Sequence, residues 1–296
     1  MSSTAVAQGL SEFFSSKSAA KNYEIAERAT GPPARALLQQ IGLSPGSDWT
    51  DSEYRVLDNA CGTGIVTATL YEMVKGKDME GRFIVVCGDL SGPMVEYTKE
   101  RTAQFEGLEV AARELNGEAL DLPSSHFTHA LTNFGFQSFP NPISGLRELI
   151  RVTKPGGTIG MTNWIDAGWT SAFRVAVSRI AGAPRTLPDP LPFMVRNGKL
   201  FDVSWTLERL EEIQEVDNAT IQIEEHSFTM VLKGDAEVNR FIQPLEGLLH
   251  VFTLDWSREE QEACGNGKLL EGIRQAILEE PNLVWRSLVT TAQKRI

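Results

Sequence analysis

Apolar and polar residues alternate along the middle of the chain in a pattern that predicts both strands and helices. Short apolar runs are separated by longer stretches in which apolar residues recur at helical spacing. We therefore predict strands at 54–58, 83–88, 109–115, 129–134 and 157–164. Strands that alternate with helices pair in parallel, so this region should form a sheet that helices cover on both faces.

The flanking segments have different patterns. Residues 9–41 predict two helices, and Gly31-Pro32-Pro33 is expected to break or restart the second one. Residues 165–205 are rich in proline and aromatic residues, which favours a lid over a hydrophobic ligand; the alternative is a surface connection with its own small core. For the rest of the chain we predict a helix at 207–216, a strand at 219–232, a helix at 237–252 that Pro244 kinks or restarts, a broken helix at 259–280 and a final strand at 283–292.

The composition limits the class of protein. Hydrophobic residues make up 42% of the 296 residues and charged residues 23%, which is ordinary for a globular protein. The formal net charge of −11 disfavours a nucleic-acid partner, whose phosphates select basic surfaces. No run approaches the roughly 20 apolar residues that span a bilayer, and the segment 1–10 lacks the pattern of a secretory signal. We therefore expect a cytoplasmic protein that has neither a membrane nor a nucleic acid as its partner.

The three cysteines favour a reducing compartment, because none has metal-ligand spacing or a C-x-x-C partner. Cys61 and Cys87 are expected to be small buried residues. Cys264 stands in a polar stretch and is expected to be exposed. No metal is predicted, because the sequence shows neither a carboxylate-rich set nor a His/Cys cluster.

The strongest chemical signal is the stretch Val56-Leu57-Asp58-Asn59-Ala60-Cys61-Gly62-Thr63-Gly64, where a predicted strand runs into a small-residue loop and then a helix. Gly62 and Gly64 lack a Cβ, so the loop backbone can approach a ligand closely. The next predicted strand ends on Asp89, whose carboxylate can accept hydrogen bonds from both hydroxyls of a ribose. Two adjacent strands that end in this way predict a nucleoside site at the carboxyl edge of the sheet.

The loop lacks the features that bind a phosphate. Thr67 stands where a dinucleotide fingerprint has its third glycine, and no lysine follows as in a phosphate-binding loop. Asp58, at the start of the loop, would repel a phosphate but can attract a cation. A nucleoside that carries positive charge fits these residues better, and S-adenosylmethionine, with its sulfonium and ammonium groups, is such a ligand.

Four segments resemble the class I S-adenosylmethionine-dependent methyltransferases. Residues 56–64 resemble the family's first motif, V-L-D-x-G-x-G-x-G, with Ala60 in place of the first glycine. The other three are 117–123, similar to the segment G-D-A-x-D-L-P, 129–136, similar to the fourth strand, and 148–157, similar to the helix and turn before strand five.

Within this class, residues 57–62, 87–91 and 134–140 are similar to a fungal group that includes gliotoxin bis-thiomethyltransferase, an enzyme group of secondary metabolism. The similarity fades after Trp164, where the acceptor is usually chosen. The resemblance therefore implies the cofactor more strongly than the acceptor.

The resemblance implies an α/β, Rossmann-like, doubly wound fold with a mostly parallel seven-stranded sheet, N-terminal helices and a lid insertion after strand five. We expect four parts along the chain. They are an N-terminal helical cap at 1–53, an S-adenosylmethionine-binding core at 54–164, a lid or substrate insertion at 165–218, and a C-terminal part at 219–296 that completes the sheet.

The resemblance also implies S-adenosylmethionine as the cofactor and S-adenosylhomocysteine as the product. Asn59 is expected at the methionine moiety, although it can also simply cap the turn. Leu90 and Met94 are core residues, walls of the adenine slot, or both. Glu118 is expected to recognise the adenine amine, and Tyr23 is equally a core residue or a cofactor contact. The predicted cofactor-binding residues are Tyr23, Asp58, Asn59, Ala60, Gly62, Gly64, Asp89, Leu90, Met94, Gly117, Glu118, Ala119, Asn133 and Phe134.

The acceptor site is expected just beyond the fourth strand, at the mouth that faces the methyl group. Phe134 and Phe136 can also be plain core aromatics. The predicted substrate-binding residues are Phe136, Gln137, Trp164, Trp169 and Phe193. The candidates for a general base are four histidines, none of which is assigned, with a structural role preferred for the first two: His126, His129, His226 and His250.

The sequence thus predicts methyl transfer, by in-line displacement, to a small hydrophobic natural product. A thiol sulfur is the first choice of acceptor atom, with a hydroxyl oxygen or an amide nitrogen next. Two alternatives remain open, namely an enzyme that binds S-adenosylmethionine but catalyses a non-methylating rearrangement, and a regulatory protein with a vestigial site. The oligomeric state is expected to be a monomer or a homodimer.

Overall fold

One sheet of seven strands organises the computed structural model, which describes residues 24–44, 53–77, 82–191, 198–265 and 267–296. The first predicted helix, Tyr23 and Phe193 lie outside these described residues. The strands are β1 (Tyr54–Asn59), β2 (Phe83–Asp89), β3 (Leu108–Glu114), β4 (Phe127–Asn133), β5 (Thr153–Asp166), β6 (Val216–Val231) and β7 (Asn282–Lys294).

The strand order is β3-β2-β1-β4-β5-β7-β6. Strands β1 to β5 pair in parallel, and β7 runs antiparallel between β5 and β6. The predicted seven-stranded, mostly parallel sheet is therefore confirmed. The five predicted core strands agree with β1 to β5 except at their ends, because an apolar run marks the buried centre of a strand better than its limits.

The helices of the described residues are α1 (Glu27–Gln40), α2 (Ile65–Val74), α3 (Gly92–Thr102), α4 (Pro142–Val152), α5 (Thr170–Arg179), α6 (Val203–Glu211), α7 (Gly234–Phe252), α8 (Arg258–Cys264) and α9 (Lys268–Glu279). Helix α6 begins earlier than predicted because the Asp202 side chain caps it, accepting a hydrogen bond from the Trp205 N–H at 2.8 Å. Helix α7 continues through Pro244 without a restart. None of these described helices is long and apolar enough to cross a membrane.

The prediction that Gly31-Pro32-Pro33 would break a helix is wrong, because α1 runs through all three residues. Proline costs a helix one backbone hydrogen bond and causes a clash with the preceding turn. Tertiary packing offsets this cost, since Pro33, Leu37 and Leu38 are buried against the sheet. Burial of an apolar face outweighs local propensity here.

Helices cover both faces of the sheet, as expected for a doubly wound fold. On one face, side chains of α1 and α2 such as Leu37 and Leu70 pack on Val56 of β1. On the opposite face, Leu149 of α4 and Leu210 of α6 pack on β5. The carboxyl edge of the sheet therefore lies between two well-packed layers.

A further core joins the C-terminal helices to β6 and β7. Its members from α5, α7 and α9 include Phe173, Phe241 and Ile273, which pack with Trp285 of β7. Cys264 belongs to this core and is 6% exposed, so the expectation that it is exposed is wrong. Cys264 is the last residue of α8, and its polar neighbours Gln261 and Glu262 on that helix are exposed.

The predicted lid insertion at 165–218 is divided between the two faces of the sheet. Helix α5 lies in the C-terminal core against α9, whereas α6 lies on the opposite face and leads into β6. Two of its aromatic side chains are packed, since Trp169 is 7% and Phe173 1% exposed, whereas Phe201 and Trp205 are half-buried. A lid role for the segment and a connection with its own core both stay predictions.

We predict that Gly272→Val lowers the free energy of unfolding. A Cβ at Gly272 of α9 would lie 2.9 Å from the Ala176 Cβ of α5, so a larger side chain forces the two helices apart. Overpacking of this kind costs about 1–3 kcal/mol. Urea unfolding measures the change. Gly265→Val is the matched control, because a Cβ there meets atoms only at 3.4 Å, and an equal loss in both variants would contradict the predicted close approach.

Candidate functional site

The loop between β1 and α2 is shaped by three residues in the left-handed region. Ala60, Gly62 and Gly64 have φ values of 56°, 53° and 77°. A Cβ built on Gly62 meets no atom within 4 Å, so the space above the loop is open. A Cβ on Gly64 would lie 3.0 Å from Thr98, where the loop backbone lies against α3. On one side, the loop backbone is therefore open to the close approach of a ligand, and on the other side it packs against α3.

The Asp89 carboxylate, at the end of β2, holds this loop in place. Its Oδ2 accepts a hydrogen bond from the Gly62 N–H at 2.8 Å, and its Oδ1 accepts one from the Ser91 N–H at 2.9 Å. Burial raises the pKa of Asp89, and these backbone donors oppose that change. A carboxylate has about four lone-pair directions, so these two bonds leave it able to accept hydrogen bonds from a ligand.

Asp58 and Asn59 bring two oxygens to the end of β1 that have no hydrogen-bond partner among the described residues, Asp58 Oδ1 and Asn59 Oδ1. Asp58 Oδ2 accepts bonds from the Thr67 hydroxyl at 2.9 Å and the Thr67 N–H at 3.3 Å. Burial, with a smaller contribution from the charge of Asp89, raises the pKa of Asp58 to about 6. Buried acceptors without a donor are costly, so this pair favours a ligand that brings N–H groups and positive charge.

Leu90 is an apolar side chain that remains 67% exposed directly after Asp89. Met94, one helical turn later, is 1% exposed and belongs to the core. Of the two predicted walls of an adenine slot, only Leu90 presents free apolar surface. Its position beside Asp89 suits a flat aromatic ring attached to a ribose.

The segment Gly117–Ala119 lies against the end of β1. A Cβ on Gly117 would lie 2.9 Å from Asn59 Oδ1 and 2.4 Å from the Phe139 ring, so only glycine allows this approach. The Asn59 amide donates to the Gly117 carbonyl at 3.4 Å. Glu118 Oε1 accepts a bond from the Asn141 N–H at 2.6 Å, before α4. A contact between Glu118 and an adenine amine stays a prediction.

The Asn133 side chain connects the end of β4 to α1 and to β5 by hydrogen bonds. Its amide donates to the Thr30 carbonyl of α1 at 3.2 Å, and its side-chain oxygen accepts from the Thr162 hydroxyl of β5 at 2.6 Å. The next residue, Phe134, has a φ of 64°, and its N–H bonds to Thr162 O at 3.1 Å. A bulky residue in this region is strained, so surrounding contacts must hold Phe134 in place.

Trp164 of β5 supplies the main contact of Phe134. The two rings are stacked with centroids 3.8 Å apart and planes inclined by 10°. Gln137 clamps the backbone of Trp164, accepting from its N–H at 3.0 Å and donating to its carbonyl at 3.4 Å. Phe136, by contrast, is 1% exposed and packs on Phe139. Phe134, Trp164 and Gln137 therefore form one assembly at the edge, whereas Phe136 is a core residue.

The structure thus gathers most of the predicted cofactor residues at the carboxyl edge of β1, β2 and β4. Met94, Phe136 and Trp169 lie instead in the core, where Trp169 stacks on Phe252 with centroids 4.9 Å apart. The residues gathered at the edge are Asp58, Asn59, Ala60, Gly62, Gly64, Asp89, Leu90, Gly117, Glu118, Ala119, Asn133 and Phe134. The roles of all these residues stay predictions.

An ion pair that sequence reasoning missed also supports the loop. Glu27, at the start of α1, accepts hydrogen bonds from the Thr63 hydroxyl at 2.5 Å and from two Arg101 nitrogens at 2.5 and 3.1 Å. Arg101 also donates to the Thr63 carbonyl at 2.9 Å. The three residues lie far apart in the sequence, and no local pattern links them. They connect α1, the loop and α3 into one support.

The histidines occupy different parts of the sheet. His129, in the middle of β4, is half-buried, and desolvation of its ring lowers its pKa to about 4; the ring contacts the neighbouring Thr128 hydroxyl. His126 lies before β4, at the opposite edge from the loop, beside Arg55. His226 lies on β6, and its Nε2 is buried without a hydrogen-bond partner among the described residues. Among all the residues that the structure describes, no group of three or more His, Cys, Asp or Glu residues is placed to hold a metal ion.

Comparison with known proteins agrees with this geometry. Residues 56–157 match the family described as methyltransferase domain. The methyltransferase tpcH of Aspergillus fumigatus is 34% identical over 174 residues, 58% of this chain and 60% of that protein. The acetylaranotin bis-thiomethyltransferase of Aspergillus terreus is 34% identical over 184 residues, 62% of this chain and 60% of that protein. The chain thus covers 60% of the length of each of these relatives.

Two solved structures share the fold. The YcgJ protein of Bacillus subtilis has a TM-score of 0.52 and 14% identity, covering 87% of this chain and 99% of its own. Protein BH2331 of Bacillus halodurans has a TM-score of 0.51 and 18% identity, covering 89% of this chain and 99% of its own. Residues 56–157 are therefore similar to a methyltransferase domain, and these solved structures share the fold of the chain. Over 58% and 62% of its length, the chain is similar to the two fungal methyltransferases named above.

We predict that Ala60→Gly, which restores the glycine of the family motif, stabilises the protein. The left-handed backbone costs a residue with a Cβ about 1–2 kcal/mol, and the entropy that glycine gains in the unfolded chain offsets about 0.4–1 kcal/mol of this. A net gain of about 0.5–1 kcal/mol is expected from urea unfolding. Ala36→Gly, inside helix α1, is the matched control and should lose about 1 kcal/mol. Losses of equal size at both positions would contradict the strain at Ala60.

Proposed function

We propose that this chain is an S-adenosylmethionine-dependent methyltransferase that acts on a small hydrophobic secondary metabolite. The observation that carries the proposal is the arrangement at the carboxyl edge of β1 and β2. There, an open left-handed loop is held by the Asp89 carboxylate, beside an exposed Leu90 and two oxygens that have no hydrogen-bond partner among the described residues. This is a set of contacts for a ribose, an apolar base and a cationic group.

The residues at the edge fit the three parts of S-adenosylmethionine. We assign Asp89 to the ribose hydroxyls, as a hydrogen-bond acceptor, and Leu90 to one face of the adenine. We assign the Asp58 and Asn59 oxygens that have no partner in the described part of the chain to the ammonium group of the methionine end. When bound, S-adenosylmethionine supplies a methyl carbon that its sulfonium makes electrophilic. The task of the protein is then to exclude water and to align an acceptor with that carbon.

A thiol is the first choice of acceptor group, with a hydroxyl or an amide nitrogen next. The name of the Aspergillus terreus relative records thiol methylation by that protein. A thiol with a pKa of about 8.5 is partly ionised near neutral pH and needs little help from a base. This requirement suits the site, since no histidine of the described residues is seen in contact with the loop between β1 and α2. Alignment at the edge formed by Phe134 and Trp164 is therefore the main contribution we assign to the protein.

We predict that the purified protein transfers labelled methyl groups from S-adenosylmethionine to a thiol in a panel of dithiols, phenols and amides. Mass spectrometry identifies the product and the released S-adenosylhomocysteine. Asp89→Asn is the test variant, because it weakens the bonds to the loop and to the ribose. Its cofactor affinity should fall by about 1–3 kcal/mol, measured by calorimetry, while circular dichroism confirms that it folds.

Two other outcomes would contradict the proposal in different ways. Tight binding of S-adenosylmethionine with no label moved to any class of acceptor would favour a non-methylating rearrangement. Absence of cofactor binding by the folded wild-type protein would favour a vestigial site.

We predict that the affinity for S-adenosylmethionine rises with pH between about pH 5 and pH 7 because of Asp58. Its pKa in the free protein is raised to about 6, so its carboxyl group becomes charged, and attracts the cationic ligand, only as the pH passes that value. Two pH units across this pKa should change the affinity by about tenfold. Asp58→Asn should abolish this rise in calorimetric titrations.

The same pKa gives the free energy of unfolding the opposite trend. The unfolded chain releases the Asp58 proton near pH 3.8 and the folded protein near pH 6, so Asp58 makes the cofactor-free protein less stable as the pH rises through this range. The difference in unfolding free energy between wild type and Asp58→Asn isolates this contribution. A pH-independent affinity in the wild type would remove Asp58 from the cofactor site.

A further inference from the structure

A continuous row of aromatic rings crosses the sheet, beginning at the end of β4. Phe134 stacks on Trp164 with centroids 3.8 Å apart, and Trp164 lies 5.0 Å from Trp285. Trp285 is parallel to Phe228 within 8° at 6.3 Å, and Phe228 lies 5.8 Å from the His226 ring. We call these five residues, from β4, β5, β7 and β6, the aromatic row.

The strand register places the row on one face of the sheet. Trp164 pairs with Ser287 and Ser287 with His226, so all three point to the same side, and Phe228 pairs directly with Trp285. Neighbouring strands lie about 4.8 Å apart, so the three steps from β4 to β6 span about 14 Å. The row is therefore long enough to lie along a molecule with two rings.

Trp285 is the buried, rigid centre of the row. It is 4% exposed, a Cβ on Gly168 would lie 2.5 Å from its Nε1, and Phe241 of α7 packs edge-on at 6.2 Å. The other four members are only half-buried. Exposed apolar surface thus remains on both sides of a rigid centre.

His226 ends the row with a polar atom that lacks a partner. Its Nε2 is buried and makes no hydrogen bond to any described residue. Burial lowers the pKa of His226, which keeps the ring neutral near pH 7, with a lone pair able to accept a hydrogen bond. A buried acceptor without a donor is costly, and a ligand that brings an O–H or N–H recovers this cost.

We propose that the aromatic row is the acceptor subsite, and that it takes an elongated apolar molecule of at least two rings whose far end donates a hydrogen bond to His226. The proposal rests on the proposed function, because the row begins at Phe134, where the reacting group would face the methyl donor. It assigns His226 a role in binding and selecting the acceptor. The reacting atom lies at the opposite end of the molecule from His226.

Three thiols with the same reacting group test the subsite: thiophenol, biphenyl-4-thiol and 4′-hydroxybiphenyl-4-thiol. We expect kcat/KM for methyl transfer to rise by about tenfold with the second ring and by a further factor of about 3 to 10 with the hydroxyl group. His226→Leu should remove the gain from the hydroxyl and keep the gain from the ring. His226→Gln, which retains an acceptor oxygen, should restore part of the gain in kcat/KM from the hydroxyl group, mainly through a lower KM.

Two further variants separate binding from folding. Phe228→Ala should lower the ratio of kcat/KM for biphenyl-4-thiol to kcat/KM for thiophenol, because it removes one ring of the row. His126→Leu is the matched control, since this histidine lies before β4 at the opposite edge of the sheet from the loop. The kcat/KM values of His126→Leu for all three thiols should equal those of the wild type. Thermal unfolding confirms that each variant is folded.

Equilibrium binding makes the test independent of methyl transfer. Biphenyl-4-ol should bind more tightly than 4-methoxybiphenyl, whose oxygen has no proton to donate, by a factor of about 3 to 10 that His226→Leu abolishes. Quenching of tryptophan fluorescence, with S-adenosylhomocysteine present, reports the binding. Equal affinities of the two biphenyls for the wild type would overturn the role of His226. Equal affinities of phenol and biphenyl-4-ol would overturn the subsite, even if methyl transfer to other acceptors is found.

Discussion

The parallel pairing of β1 with β2 and β4 is the constraint on which the site depends. Asn59 pairs with Gly88 and Asp58 with Leu131, so three strands end at the same edge of the sheet. Parallel strands bring their following loops together, which closes a site between segments that are distant in sequence. The Asp89 carboxylate then fixes the geometry, because its two oxygens accept bonds from backbone groups of two different loops.

Much of this arrangement could be predicted from the sequence because its signals are local. A strand that is buried on both faces has a continuous apolar run in the sequence, and the loop after it is recognisable from its small residues. Asp89 follows such a run directly. The same reasoning located Phe134 and Trp164 near the edge, since each stands at the carboxyl end of a predicted strand.

The features that sequence reasoning missed depend on tertiary contacts. The prolines of α1 are tolerated because the face beyond them is buried, and Cys264 is covered by helices that its polar neighbours do not reveal. The ion pair between Glu27 and Arg101 joins helices that are separated by two strands in the sequence. The aromatic row was equally hidden, because a strand from the end of the chain must insert before its rings meet.

The inserted strand, β7, is synthesised after both of the strands that it pairs with. β7 lies between β5 and β6; its residues 286–293 pair with β5 and its residues 282–294 with β6. During synthesis, β5 and β6 therefore leave the ribosome without the strand that joins them, and the edges they expose include Trp164 and Phe228. Unpaired edges with apolar side chains favour association between chains. The connection of β6 to the rest of the sheet can form only after residues 282–294 have been synthesised.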